Sequence, residues 1–229
     1  MNYRTNMMCF VLLAATTVAL GQSEIVLNVE DVSKAGVPLK IAGRVSAKNK
    51  PSAAGYESEI EMINVSDKSI LLLVVRTDIR CGLPMNFKDP VEIDYFFDAN
   101  MLQPGASAKY PARTELGGPI HKEDSLAQIE PSASAEVAFA QFSDGSSWGD
   151  VAAAEQMLKN RQMAFKELEL LSENYRKRGE EEFLKELLKH TLFYPIVALQ
   201  DTYRAKGDLS RVLADLDNMI EIARAHSTH

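Results

Sequence analysis

The segment Gly145-Ser146-Ser147-Trp148-Gly149 carries the Gly-x-Ser-x-Gly pattern, in which a serine on a sharp strand-to-helix turn serves as the nucleophile of acyl transfer. It lies between a predicted strand and a predicted helix. Asp201, Asp208, Asp215 and Asp217 follow, then His226 and His229, so serine, acid and histidine stand in hydrolase order. A serine hydrolase using Ser147 is therefore the sharpest enzymatic alternative. Three physical objections oppose it. A nucleophile elbow stands at the edge of a parallel sheet built from strand-helix-strand units, and no helix alternates with the strands before residue 143. The preceding strand is expected to end at Phe142, which leaves four residues of turn chemistry before Ser147. Both histidines sit in the last few residues, a stretch expected to fray. The simpler reading is an Asp144-Gly145 turn with Trp148 packed against the sheet edge, and no catalytic residue is assigned.

Other chemistry-bearing residues are scattered. Cys81 is the one cysteine outside the leader described below, and a small buried apolar role suits it better than a disulfide to another chain or a reactive thiol. His121 and His190 are distant in sequence, and no histidine has a ligand at helical or turn spacing, so no metal site is expected. Nor does any motif call for a cofactor. Glu57, Glu59 and Glu61 line one side of a strand, where they read as a solvated face able to attract a cation or a basic partner. A calcium loop is not present in the sequence. Asn64-Val65-Ser66 fits a glycosylation acceptor, which matters only in a eukaryotic source. Arg176-Lys177-Arg178 complements the negative end of a helix dipole. Phe193 and Tyr194, beside Pro195, fit core packing at a helix kink better than the lining of a partner groove.

The elements that position these residues follow two grammars. Residues 1–21 combine Arg4, an apolar run from Cys9 to Leu20 and the small residues before Gln22, the pattern of a secretory signal peptide. A run of about a dozen residues is too short to cross a hydrocarbon core of roughly 30 Å. The chain is thus expected in the periplasm or the medium after cleavage near Gly21-Gln22. Eight of nine prolines and ten of twelve glycines precede position 151.

In residues 22–149, short alternating segments read as strands: Ile25 to Val29, Leu39 to Val45, Tyr56 to Met62, Val91 to Phe97 and Glu136 to Phe142. On the segment from Val91, the side shared by Glu92, Asp94, Phe96 and Asp98 is the expected wet side. Ile70 to Val75 is apolar throughout, hence a central strand covered on both faces. The polar stretch from Asn64 to Ser69 is expected to join the two strands beside it as a hairpin. Gln103-Pro104-Gly105 signals a type II turn. The expectation is an antiparallel β-sandwich.

In residues 150–229 the spacing changes to helical. Val151, Ala154, Leu158, Phe165, Leu168, Leu171 and Tyr175 mark a stripe capped by Asp150 and stopped at Gly179. A second stripe runs from Phe183 to Leu192, with a kink or break at Pro195. Asp208 caps a last helix through Leu209, Val212, Leu216, Ile220 and Ala223. The first helix, at about 28 residues and 1.5 Å each, reaches roughly 40 Å and must pack partly on other helices. A helical hairpin or three-helix unit touching the sandwich at one end is expected. The whole is α+β.

The formal charge of −7 and pI near 5.2 disfavour nucleic acid and anionic membranes. Residues 22–150 hold 19 acidic and 12 basic side chains, against 13 and 12 in residues 151–229, so the acidity belongs to the strand-rich half.

Asn64-Val65-Ser66-Asp67-Lys68-Ser69-Ile70, Leu102-Gln103-Pro104-Gly105 and the segment Phe142 to Gly149 together resemble uncharacterised exported bacterial proteins with an immunoglobulin-like sandwich. The resemblance covers roughly residues 55–150 and implies that these three motifs are structural corners. It carries no catalytic residues. Sequence thus points to an exported, non-enzymatic protein that binds another envelope or secreted protein. A second copy of the chain is the other partner that its apolar stripes allow.

Overall fold

The computed structural model describes residues 23–50, 53–80, 86–88, 90–117 and 131–227. The expected leader, Cys81, His121 and His229 lie outside the described residues. Strands come first: β1 (Ser23–Asn28), β2 (Glu30–Asp31), β3 (Leu39–Lys50), β4 (Ala53–Asn64), β5 (Ile70–Arg80), β6 (Asn86–Phe87), β7 (Pro90–Asp94), β8 (Ser107–Gly117), β9 (Ser132–Phe142) and β10 (Ser147–Gly149). A 3₁₀ turn at Val151–Ala154 leads into α1 (Glu155–Arg178), α2 (Glu180–Leu187), α3 (Tyr194–Lys206) and α4 (Leu209–Ser227).

The strands form two sheets. The first has the order β1-β3-β4-β8 and is antiparallel throughout. In the second, β10, β9 and β5 are neighbours, β6 and β7 pair with β5, and the short β2 joins β9 in parallel. Alternation decides what each strand buries. Leu39, Ile41, Ile60 and Met62 of the first sheet meet Ile70, Leu73, Val75, Val137 and Phe142 of the second in one shared core. Fully burying each such side chain is worth about 1.5–3 kcal/mol.

The stretch from Asn64 to Ser69 is not a hairpin. β4 pairs with β3 and β8, while β5 pairs with β9 and β7, so this segment carries the chain from one sheet to the other. The reason lies in the strands it joins. β4 alternates and needs cover on one face, whereas Ile70 to Val75 are all buried and need cover on two. Asn64 makes the corner. Its side chain is fully buried, donates to the carbonyls of Lys68 and Leu102, and accepts from the amide and hydroxyl of Ser66. Asp31 does the same at the return from β2 to β3, accepting from the amides of Ser33 and Ile41. Burial pushes its carboxyl up, but the Ser33 hydroxyl together with those amide hydrogen bonds prevails and holds it below the usual range.

The last strand pair is an Asp-Gly turn, Gly145 having φ +82°, with β10 returning along β9 and Trp148 packed on the shared core. Asp150 then caps the 3₁₀ turn through the amide of Ala152. The expected long helix is therefore a 3₁₀ turn followed by 24 residues of α1. At Pro195 the helical pattern breaks instead of kinking: α2 ends at Leu187, and Pro195 occupies the first turn of α3, where its missing N–H is not needed. That division gives four helices rather than two or three.

Contact between helices and sheet is also broader than one end. Ala153, Ala154, Met157 and Leu158 cover Leu72, Val74, Ala138 and Phe139 on the outer side of the second sheet. The later residues of α1, Leu168 and Leu171, join Phe183, Leu187, Leu199, Val212 and Leu216 in a separate helical core. α4 then brings Ala223 back to Leu71 and Phe96, so Phe96 is buried and not on a wet face. Among the described residues no helix is long and apolar enough to cross a membrane.

Candidate docking cleft

Ser147 begins the edge strand β10, exposed and paired in register with Gln141. It sits next to a polar knot that gathers all three sequence motifs. Lys68 Nζ lies 2.7 Å from Asp144 Oδ2 and 3.0 Å from Ser146 Oγ, and the Ser69 carbonyl accepts from the Ser143 amide. Ser69 Oγ donates to Gln103 Oε1, and Gly105, with φ +76°, completes a turn closed by Ala106 N donating to Gln103 O. Lys68 and Ser146 together hold the Asp144 carboxyl well below its ordinary range. These are the groups of a structural corner, which fixes Ser146 and Asp144 in hydrogen bonds to each other.

Among the described residues no imidazole approaches Ser147. The His226 ring, expected to fray, is instead held: α4 runs to Ser227, and Nδ1 lies 3.0 Å from the Phe96 carbonyl with the ring against that of Phe96. Phe96 follows β7, which is separated from β10 by β5 and β9. Three strand spacings amount to about 14 Å. Of the candidate acids, Asp201 pairs with Arg204, Asp208 caps α4, and Asp217 faces Arg176. His190 is exposed between α2 and α3. Among the described residues no group of three or more His, Cys, Asp or Glu is placed to hold a metal ion.

What joins helices to sheet is a residue that the stripe passed over. Leu158 and Phe165 leave a gap at Arg161, and Arg161 fills it, 7% exposed. Its Nε and one terminal nitrogen donate to Asp94 at 3.0 and 2.8 Å, and the other terminal nitrogen donates to Gln141 Oε1 at 2.8 Å. The guanidinium carbon stands 4.5 Å from the centre of the Phe96 ring. A charged residue on an apolar stripe was the available signal, since a buried cation needs a partner on the facing element.

Beside this node a cleft of about 740 Å³ opens between β7 with its following loop and α3 and α4. Phe97, Met157, Ala198, Met219 and Ile222 supply apolar lining, and Tyr194, 78% exposed, stands on one wall. Thus Phe193 packs into the helical core as expected, whereas Tyr194 does not. Leu192, 87% exposed, and Leu188 are also bare on the connection that leads to α3. The acidic lining residues are Glu92, Asp94, Asp98 and Asp215, and among the described residues no Lys or Arg lines the cleft. Burial raises the Glu92 carboxyl, and burial together with the charge of Asp98 raises the Tyr95 hydroxyl.

Other hollows are different in kind. Between α1 and α4 the walls are ion pairs, Glu169 with Arg224 and Glu173 with Lys177. The outer face of the first sheet carries Glu57, Glu59 and Glu61, yet Arg44 is the register partner of Glu59 and Lys109 of Glu61. Lys109 Nζ also reaches Glu59 at 3.2 Å. The expected acidic face is therefore a mixed-charge ladder. Convergent apolar surface and unbalanced charge occur together in the cleft beside β7. No protein-family model matches the chain, and no curated protein matches it either.

Proposed function

We propose that the chain is an exported, non-enzymatic binding protein. In this reading an immunoglobulin-like sandwich, freed of residues 1–21, carries the helical unit and offers the cleft between them to another secreted or envelope protein. The observation that carries it is the composition of the cleft. Among the described residues its lining is aromatic, methionine-containing and acidic, which is chemistry suited to recognising another chain. The size lies within the range of sites that take ligand side chains. Support for the sandwich comes from two sheets sharing one core, with strands that switch sheet at Asp31 and Asn64. Support for export comes from the short apolar leader alone.

The test is affinity capture from the native envelope or culture fluid, using the chain as bait beside its Tyr194→Ala and Ser147→Ala variants. The reading expects a partner that Tyr194→Ala loses and Ser147→Ala keeps. Capture unaffected by Tyr194→Ala and by Met219→Ala would overturn it. Esterase activity lost in Ser147→Ala would reinstate the hydrolase alternative.

A further inference from the structure

We infer that the occupant of the cleft is a cationic, amphipathic segment of a partner protein, with apolar side chains on the cleft floor and Lys or Arg at its carboxylate rim. This rests on the reading of the cleft as a docking site. The argument is charge complementarity. Asp94 is committed to Arg161, but Glu92, Asp98 and Asp215 have no basic partner among the described residues. Asp98 only accepts from Asn100 in its own loop. Elsewhere on the helices Glu155, Glu169, Glu173, Glu186 and Asp217 each face a Lys or Arg, whereas among the described residues Glu167, Glu180 and Glu181 have no such partner. At the rim three such carboxylates stand together beside apolar surface.

The same charge excludes other occupants. A second copy docked cleft to cleft would set like carboxylates against each other, since a two-fold pairing apposes one patch to itself. An anionic membrane or a nucleic acid meets the same repulsion. A segment with cations flanking an apolar anchor relieves the rim and fills the floor. Tyr194 and the thioethers of Met157 and Met219 give that anchor an aromatic wall and an adaptable base.

The probe is a fluorescent dodecapeptide of Lys and Leu around a central Trp, compared with its twin in which Glu replaces every Lys. Both are titrated into the ¹⁵N-labelled chain. The Lys peptide should shift amides at 93–100, 194–198 and 215–222, weaken with added salt and lose about tenfold in affinity in Asp98→Lys/Asp215→Lys. The milder Asp98→Asn/Asp215→Asn, which keeps the loop hydrogen bonds, should lose less. Equal binding of both peptides, shifts mapped elsewhere, no binding, or full affinity in the Lys variant overturns the inference. A captured partner that depends on Tyr194 but is indifferent to Asp98→Lys/Asp215→Lys would leave the docking site standing and remove only the cationic occupant.

Discussion

The two sheets present opposite outer faces. On the first, Lys40, Arg44, Glu57, Glu59 and Lys109 stand in water, opposite charges neighbouring each other across strands. On the second, Leu72, Val74, Ala138 and Phe139 are buried beneath the 3₁₀ turn and the start of α1. One strand in each sheet explains the difference. β4 alternates apolar and charged residues, so a single apolar neighbour satisfies it. β5 opens with six consecutive apolar residues, and a bulge at Leu71 turns two successive side chains, Leu71 and Leu72, toward the helices. Leaving large side chains such as these in water would forgo about 1.5–3 kcal/mol each. The helical unit is therefore part of what folds the second sheet, and the first sheet needs no such cover.

The comparison breaks most visibly if the cover is removed. A chain ending at Gly149 should expose Leu72, Val74 and Phe139, bind a hydrophobic dye and sediment as aggregates. A soluble monomer with sharp amide resonances would show that the second sheet stands alone. Next in size is Arg161→Ala, which leaves Asp94 and Gln141 without their buried partner and should destabilise by about 3–5 kcal/mol in denaturant titrations. Arg224→Ala, whose pair with Glu169 is exposed, should change stability by less than about 1 kcal/mol. A similar loss in both would mean that the buried contact does not anchor the helices.

A third substitution acts at the seam. Gly149 has φ +93°, and a Cβ there would fall 2.3 Å from the Ala138 carbonyl oxygen. Gly149→Ala should lower stability by about 1–3 kcal/mol, because backbone strain adds to a contact with main chain that cannot swing aside. Gly36→Ala, also at positive φ but with open space around it, should be milder. Thermal unfolding of the two variants side by side checks the order.

Much of this contrast was legible in sequence, because period and charge are local properties. The glutamates of β4 and the apolar run of β5 each state how many faces need cover. Partners are not local. Nothing between Asn64 and Ser69 says whether the next strand pairs with the last or leaves for another sheet, and the Asn64 side chain that makes the corner is held in part by a distant carbonyl, that of Leu102. Phe96 and His226 escaped for the same reason: alternation predicts which way a side chain points, not that α4 will return to meet it. Arg161 was visible as a gap in a stripe. Tyr194 was not legible because core packing suits a residue at a kink, whereas Pro195 opens a new helix, α3, and leaves the residue before it on the surface.

The corners respond to pH differently from the faces. Asp31 is ionised where the amides of Ser33 and Ile41 bind it, and its folded pKa lies below the unfolded value near 3.9. Its stabilising effect is complete above that unfolded value and disappears as pH falls through the lower folded one. Asp31→Asn should flatten the acid limb of the stability curve between those values and leave neutral pH less affected. Glu59, in contrast, is exposed beside Lys109 on the outer face of the first sheet, where water screens the pair and two long side chains lose freedom in making it. Glu59→Gln should change stability by less than about 1 kcal/mol, and raised salt should erase the difference. An effect as large as that of Arg161→Ala would mean the ladder of charges holds the first sheet together as the helices hold the second, and the two faces would differ in chemistry but not in how far the fold depends on them.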